Sequence, residues 1–176
     1  NFDHIFVLTL FLYPTKQLFH LSERESFFGL SFVKMPIDLE LIYLLYHGTT
    51  HLWSRVCWLH DIRQYLNYMD TPPNWSYILD TATQIGAERA FLTGLVLTEQ
   101  LFRVDIDPII SRNAQQNKSV QSLIKKSHCV LMQSKFPTKL MRLKMLKARF
   151  RLSTPSLAYN KAFIMRLLLR ALRIIR

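Results

Sequence analysis

The spacing of hydrophobic residues changes at Pro36, and the two sides of this residue predict different structures. Before it, residues 4–13 form a run rich in apolar and β-branched types, closed by Pro14, which predicts a buried strand. A shorter run at 31–35 predicts a second strand. The longer run falls short of the roughly 20 apolar residues that a membrane-spanning helix needs.

After Pro36, apolar residues recur at helical spacing, and turn residues divide the pattern into segments. Asp38 is predicted to cap the first helix, which runs to about His47 with Gly48 near its end. The later predicted helices cover residues 52–68, 75–85, 87–102, one or two turns at 108–113 and, after a polar linker at 114–119, residues 120–133, 138–150 and 158–175. The sequence therefore predicts a mainly α protein, a helical bundle with a remnant of one or two short N-terminal β-strands.

One of the predicted helices has no polar face. Residues 87–102 are apolar almost all round, so we expect this helix to be central and buried.

The cysteine content indicates the compartment. The two cysteines, Cys57 and Cys129, have no CxxC spacing, which excludes a disulfide scaffold and favours a reducing compartment. We therefore expect a cytoplasmic location.

The net charge of +11 is concentrated in the last part of the chain. Residues 1–100 hold 6 Lys and Arg against 10 Asp and Glu, whereas residues 101–176 hold 17 against 2. Such asymmetry is typical of a surface that meets an anionic partner: nucleic acid, an acidic protein surface or, least favoured here, a membrane. Packing against an acidic part of the same protein is the alternative.

Residues 47–62 combine reactive polar groups with large aromatic side chains in the pattern HGxxHxWSRxxWLxDI. His47 and His51 are one helical turn apart, and with Asp61 or His60 they match the ligand types of a metal site. Contact with a substrate or a phosphate and hydrogen bonding between helices are the two other interpretations of this pair.

Arg55 lies within the same motif and is a candidate fork for a phosphate or carboxylate. The alternative is an internal ion pair with Asp61 or Asp80. The tryptophans are predicted to pack the core rather than to stack on bases. P-loop and Rossmann phosphate sites are excluded, because neither G-x-x-x-x-G-K-[ST] nor G-x-G-x-x-G occurs.

Through this motif the sequence resembles an uncharacterised bacterial family of nucleotidyltransferase-like proteins, in which a small polymerase-β-type nucleotidyltransferase domain precedes a helical region. The residues that carry the resemblance are His47, Gly48, His51, Trp53, Ser54, Arg55, Trp58, Leu59, Asp61 and Ile62, followed by Asn74, Trp75, Gly86, Ala87 and Arg89. The resemblance implies three regions: the end of the nucleotidyltransferase α/β domain at 1–35, a helical domain with the motif at 36–113 and a basic helical region at 114–176.

The resemblance also implies a role for the helical part, which would shape the acceptor and nucleotide side of the cleft. Its substrate-binding residues would be His47, His51, Arg55 and Asp61. The competing hypothesis is a non-enzymatic basic helical module that binds nucleic acid or another anionic surface.

The catalytic parts that the family places before this motif, a Gly-Ser turn and two metal-binding acidic residues, are not in this sequence. Its close acidic pairs, Glu23 with Glu25 and Asp105 with Asp107, follow no phosphate-binding turn. We therefore expect no activity from this chain alone, and Mg²⁺ with a nucleoside triphosphate only beside an upstream nucleotidyltransferase domain as partner. The absence of an initial Met favours a truncated or degenerate relative.

Overall fold

The computed structural model describes residues 23–69 and 71–132. The predicted strand at 4–13 and the predicted helices at 138–150 and 158–175 lie outside these residues. In the described part, two strands precede six helices: β1 (Glu23–Phe27), β2 (Leu30–Lys34), α1 (Ile37–Thr50), α2 (Val56–Asn67), α3 (Trp75–Gln84), α4 (Glu88–Phe102), α5 (Pro108–Gln116) and α6 (Lys118–Leu131). The mainly α prediction is confirmed.

The strands β1 and β2 form an antiparallel hairpin. A two-residue turn at Phe28–Gly29 joins them, and both residues have positive φ, +50° and +76°, which suits the twist of a tight hairpin. The ammonium of Lys34 lies 3.3 Å from the Glu25 carboxylate across the hairpin. The predicted strand at 31–35 is confirmed within one residue, whereas β1 was not predicted because its charged residues hide the strand pattern.

Helix α4 is the centre of the described bundle, as the sequence predicts. Its residues 90–98 are all buried, and every other described helix contacts it. An apolar helix needs partners on all its faces, and the five neighbours provide them. No helix in the described part of the chain combines the length and hydrophobicity needed to cross a membrane.

Polar side chains mark where three of the helices begin. The Asn74 side chain accepts a hydrogen bond from the backbone N–H of Tyr77 at 3.1 Å, and Asp107 accepts one from Ile109 at 2.8 Å. Asn117 caps α6 in the same way. Each side chain satisfies a backbone donor that has no partner within the helix.

The first helix differs from its prediction at both ends. It begins directly after Pro36, so Asp38 lies in its first turn instead of capping it, where its charge complements the helix dipole. It continues through Gly48 to Thr50, so this glycine does not end the helix.

Two further predictions are wrong. The second helix starts at Val56 and not at Leu52, because the residues between leave the helical conformation. The predicted linker at 114–119 is mostly helical, since α5 continues to Gln116 and Asn117 alone separates it from α6. The buried side chain of Ala114 holds this end of α5 on the core.

Candidate functional site

The turn between α1 and α2 buries Trp53 completely. Leu52 and Trp53 both have left-handed backbone conformations, with φ of +50° and +51°, which are uncommon for residues with large side chains. The Trp53 N–H donates to the carbonyl oxygen of Gly48 at 2.9 Å and closes the turn. The chain thus folds back, so that the indole ring lies under the last turns of α1.

Two glycines flank this indole ring from different helices. A Cβ atom on Gly48 of α1 would collide with the Trp53 ring, and one on Gly94 of α4 would lie 2.6 Å from its Cζ2 atom. Both distances are below any normal van der Waals contact. Gly48 therefore belongs to the motif because it admits the ring of Trp53.

The hydroxyl of Thr49 satisfies the polar edge of the same ring. The Trp53 Nε1–H donates to Thr49 Oγ1 at 3.1 Å. That hydroxyl in turn donates to the carbonyl oxygen of Leu45 at 2.8 Å, with the carbonyl oxygen of Ala90 in α4 at 3.2 Å. The network connects α1, the turn and α4, and it pairs the buried N–H of the Trp53 indole.

The other half of the motif forms a cluster at the junction of α1 and α2, which we call the imidazole–indole cluster: His47, His51, Arg55 and Trp58. The two imidazole ring centroids are 4.9 Å apart, and they lie 5.4 and 5.5 Å from the Trp58 centroid. The Arg55 guanidinium carbon lies 5.7 Å from the same centroid, within range of a cation–π contact. Three of the four predicted site residues, His47, His51 and Arg55, thus contact the indole ring of Trp58.

The surroundings of the cluster are partly open to solvent. Arg55 is exposed, whereas both imidazoles and the indole are half-buried. Tyr43, one turn before His47, has its ring centroid 6.0 Å from that imidazole. Burial raises the pKa of the Tyr43 phenol, so this edge of the cluster carries no negative charge at neutral pH.

Asp61 lies one turn after Trp58 on α2 and is exposed. Within the described residues, Arg55 forms no ion pair with Asp61 or with Asp80, so neither alternative for its guanidinium is observed. The structure brings His47, His51 and Arg55 together where α1 ends and α2 begins, whereas Asp61 lies further along α2. His60 lies away from the cluster, with its ring edge against Phe102 at 6.0 Å.

The described residues do not fit a Mg²⁺ site. Across the described ranges, no three His, Cys, Asp or Glu side chains converge as metal ligands. Members of both acidic pairs have structural partners instead, since Glu25 pairs with Lys34 and Asp107 caps α5. Both cysteines are free and exposed.

Sequence reasoning missed Thr49 and Gly94, because it predicted core packing for the tryptophans without identifying which residues contact them. A signal for Gly94 was present: a glycine inside an apolar helix costs about 1 kcal/mol relative to alanine, so it needs a packing reason. The role of Trp58 as the common neighbour of the cluster depends on the left-handed turn, which the residue pattern does not reveal.

Fold and site together define a helical domain that buries one tryptophan of its motif and surrounds another with imidazole and guanidinium groups. The profile of an uncharacterised nucleotidyltransferase family matches residues 10–103, more than half of the chain. The chain belongs to this family. The match includes the hairpin and α1–α4, and α5 and α6 follow it. No curated protein and no solved structure matches the chain.

Proposed function

We propose that these helices are the helical part of a nucleotidyltransferase-like protein and shape the acceptor and nucleotide side of its cleft. Family membership supports the class of protein. The observation that carries the site is the imidazole–indole cluster, where His47, His51 and Arg55 meet around Trp58 at a partly open corner. Groups that only held helices together would have less reason to gather two imidazoles and a guanidinium there.

The chemistry of the cluster suits a ligand with both polar and charged groups. A guanidinium donates two parallel hydrogen bonds to a phosphate or carboxylate, and each imidazole donates or accepts. The first turn of α2 contains no acidic residue that would compete for Arg55. The exposed carboxylate of Asp61 would accept hydrogen bonds from hydroxyl or amino groups of the ligand.

Phosphoryl transfer itself would depend on a partner. The carboxylates that hold Mg²⁺ and the nucleoside triphosphate would come from a nucleotidyltransferase domain, because the described residues do not fit that role. In this proposal the helical part binds and orients substrate, and the chain is inactive without the partner domain.

The test measures nucleotide binding, and nucleotide transfer with a family catalytic domain supplied, for the wild type, His51→Ala and Arg55→Ala. We expect each variant to lose about tenfold or more in affinity or transfer rate, since a charge-assisted hydrogen bond contributes about 1.5–3 kcal/mol. His60→Ala, on α2 but away from the cluster, is the matched control. Unchanged binding and transfer in folded His51 and Arg55 variants would refute the site.

A basic surface on α6 favours a second candidate, a non-enzymatic module that binds nucleic acid or another anionic surface. Lys118 and Lys125 are exposed and seven residues apart, so they lie on one side of α6. Neither forms an ion pair within the described part of the chain. Unpaired lysines on one helix face suit contacts with phosphates.

A further inference from the structure

The guanidinium of Arg55 is exposed, and its position depends on one aromatic neighbour. Arg55 lies directly before α2 in an extended conformation, and its guanidinium carbon lies over the Trp58 ring, 5.7 Å from the centroid. Within residues 23–69 and 71–132, its side chain forms no ion pair and caps no helix. The indole is therefore the group in this part of the chain that restrains the guanidinium.

The Trp58 ring is held from several sides and offers Arg55 a fixed surface. Its side chain is half-buried and packs against the hydrophobic core. The imidazoles of His47 and His51 lie against it from α1, at 5.4 and 5.5 Å between ring centroids. The backbone N–H of Trp58 donates to the Arg55 carbonyl oxygen at 3.3 Å, which keeps the two residues about one turn apart at the start of α2. The ring is thus the anchored member of the pair, and the guanidinium is the movable one.

A guanidinium that lies over an aromatic face remains available to a ligand. The electron-rich face of the ring attracts the cation as a whole, and this attraction does not require any of the five N–H donors. Arginine has many rotamers, and a ligand that binds a freely moving side chain has to restrict them. A side chain that is restrained beforehand therefore binds at a lower cost in entropy.

We propose that Trp58 is a positioning residue, which restrains the Arg55 guanidinium at the rim of the cluster before a ligand arrives. This inference rests on the proposed function, in which Arg55 donates hydrogen bonds to the substrate. It adds that Trp58 acts on the substrate through Arg55 and not by stacking on a base.

The first measurement is NMR of the full chain without ligand, which compares the side-chain protons of Arg55 with those of Arg103. Arg103 is also exposed and has no cation–π contact in the described part of the chain. The ring current of an indole shifts protons over its face upfield, so we expect the Hδ and Hε signals of Arg55 upfield of those of Arg103. Trp58→Leu should remove this shift, and Trp58→Phe should retain part of it. Equal positions of the two arginines in the wild type would overturn the inference, and this comparison requires no variant to fold.

The second measurement is the affinity for ATP, GTP, CTP and UTP, each titrated in turn with the family catalytic domain supplied. For the nucleotide that binds, Trp58→Leu should weaken the affinity about two- to fivefold, the range of a cation–π contact at an exposed site. Trp58→Phe should restore most of this loss. In an Arg55→Ala background, Trp58→Leu should have no further effect. An equal loss in both backgrounds would show that Trp58 acts independently of Arg55 and would overturn the inference.

A second cation–π pair provides the matched control. The Arg63 guanidinium carbon lies 5.8 Å from the Phe102 centroid, and the His60 ring lies against the same phenyl ring. Like Trp58, Phe102 is half-buried and packs against the core. Phe102→Leu should therefore lower stability but leave the Arg55 signals and the nucleotide affinity as in the wild type. If Phe102→Leu weakened the affinity as much as Trp58→Leu, loss of packing would explain both results and the inference would fail.

The failures of this inference and of the proposed function are distinguishable. Unshifted Arg55 signals, together with a loss of about tenfold in Arg55→Ala, would overturn the inference and uphold the proposed function. Upfield Arg55 signals, together with unchanged nucleotide binding and transfer in Arg55→Ala, would refute the proposed function while the restraint by Trp58 stands. If the wild type bound none of the nucleotides, the proposed function would fail and the Arg55 signals alone would decide the restraint.

Discussion

Gly48 and Gly94 lack the Cβ atom of other residues, and this absence leaves room for the Trp53 ring in the core. Gly94 lies in the middle of α4 and Gly48 in the last turn of α1. Within a helix, alanine is the better helix former by about 1 kcal/mol. Here the ring of Trp53 fills the space that a Cβ atom would need at Gly48, and at Gly94 that space is shared by Trp53 and the Leu45 side chain. Packing around one indole therefore outweighs helix propensity at two places.

Gly48→Ala should lower the free energy of unfolding by about 1–3 kcal/mol, the usual range for overpacking a well-filled core, despite the gain in helix propensity. Denaturant unfolding followed by circular dichroism measures this change. Gln115→Ala, an exposed position on α5, is the control and should stay within about 0.5 kcal/mol of the wild type. A Gly48→Ala variant more stable than the wild type would contradict the packing shown here.

Tyr65 joins α2 to the start of α1 through its hydroxyl group. Its one proton is shared between two acceptors, the carbonyl oxygen of Ile37 at 2.9 Å and the Glu40 carboxylate at 3.0 Å. Burial, followed by the negative charge of Glu40, raises the pKa of Tyr65 well above its ordinary value near 10. The neutral phenol is thus the form that stabilises the fold.

Tyr65→Phe should lose about 0.5–1.5 kcal/mol of stability at neutral pH. Because the folded pKa lies above the unfolded value, the contribution of Tyr65 is complete below pH 10 and is lost as the pH rises beyond it. The stability difference between wild type and variant should therefore shrink above pH 10, as urea unfolding at several pH values can measure. Tyr68→Phe, at an 81% exposed residue, should show no difference at any pH.

At the scale of elements, Asn117 is the single residue between two helices. Its side chain accepts hydrogen bonds from the backbone N–H groups of Ser119, at 3.1 Å, and Val120, at 3.3 Å. Asn117→Ala should cost about 1 kcal/mol in the free energy of unfolding, because both donors lose this acceptor. Asn117→Asp keeps an acceptor and should remain close to the wild type in the same measurement. Equal losses in the two variants would show that the cap contributes little.

Element boundaries were predictable wherever a residue marks them chemically. The ends of α3 were found within one residue because Asn74 caps the helix and Gly86 follows it. The start of α2 was missed because Leu52 and Trp53 satisfy helical spacing although their backbone is left-handed. The end of α5 was missed because polar residues that favour helices look like a linker in sequence.

The candidate site was also predictable only in part: its residue types could be read from the sequence, but their arrangement could not. Residue types identify His47, His51 and Arg55, since their chemistry is local. Their arrangement around Trp58 depends on a turn held by contacts with α4, which lies some forty residues further along the chain. No local pattern encodes such a contact.

At the scale of the molecule, the family match and the acidic residues end at nearly the same place in the chain. The family match ends at residue 103, just after α4, and no acidic residue follows Asp107. The division into regions at 1–35, 36–113 and 114–176 stays a prediction, and the predicted helices at 138–150 and 158–175 of the basic region lie outside the described residues.

The basic-module alternative makes a prediction about salt. Binding of the full chain to a nucleic acid oligonucleotide should weaken with salt by a slope of about −0.9 in log affinity against log concentration for each phosphate contacted. Replacing Lys118 and Lys125 with Gln should reduce that slope by about 2. Fluorescence anisotropy across a sodium chloride series measures both values. A flat response would remove this alternative.

The packing of the Trp53 ring between Gly48 and Gly94 limits which substitutions this family can accept. Positions 45, 48, 53 and 94 border one shared volume, so a larger side chain at 48 or 94 has to be compensated at a neighbour. Homologues with a side chain at 48 should therefore carry a smaller residue at 53, and those with a side chain at 94 a smaller residue at 45 or 53.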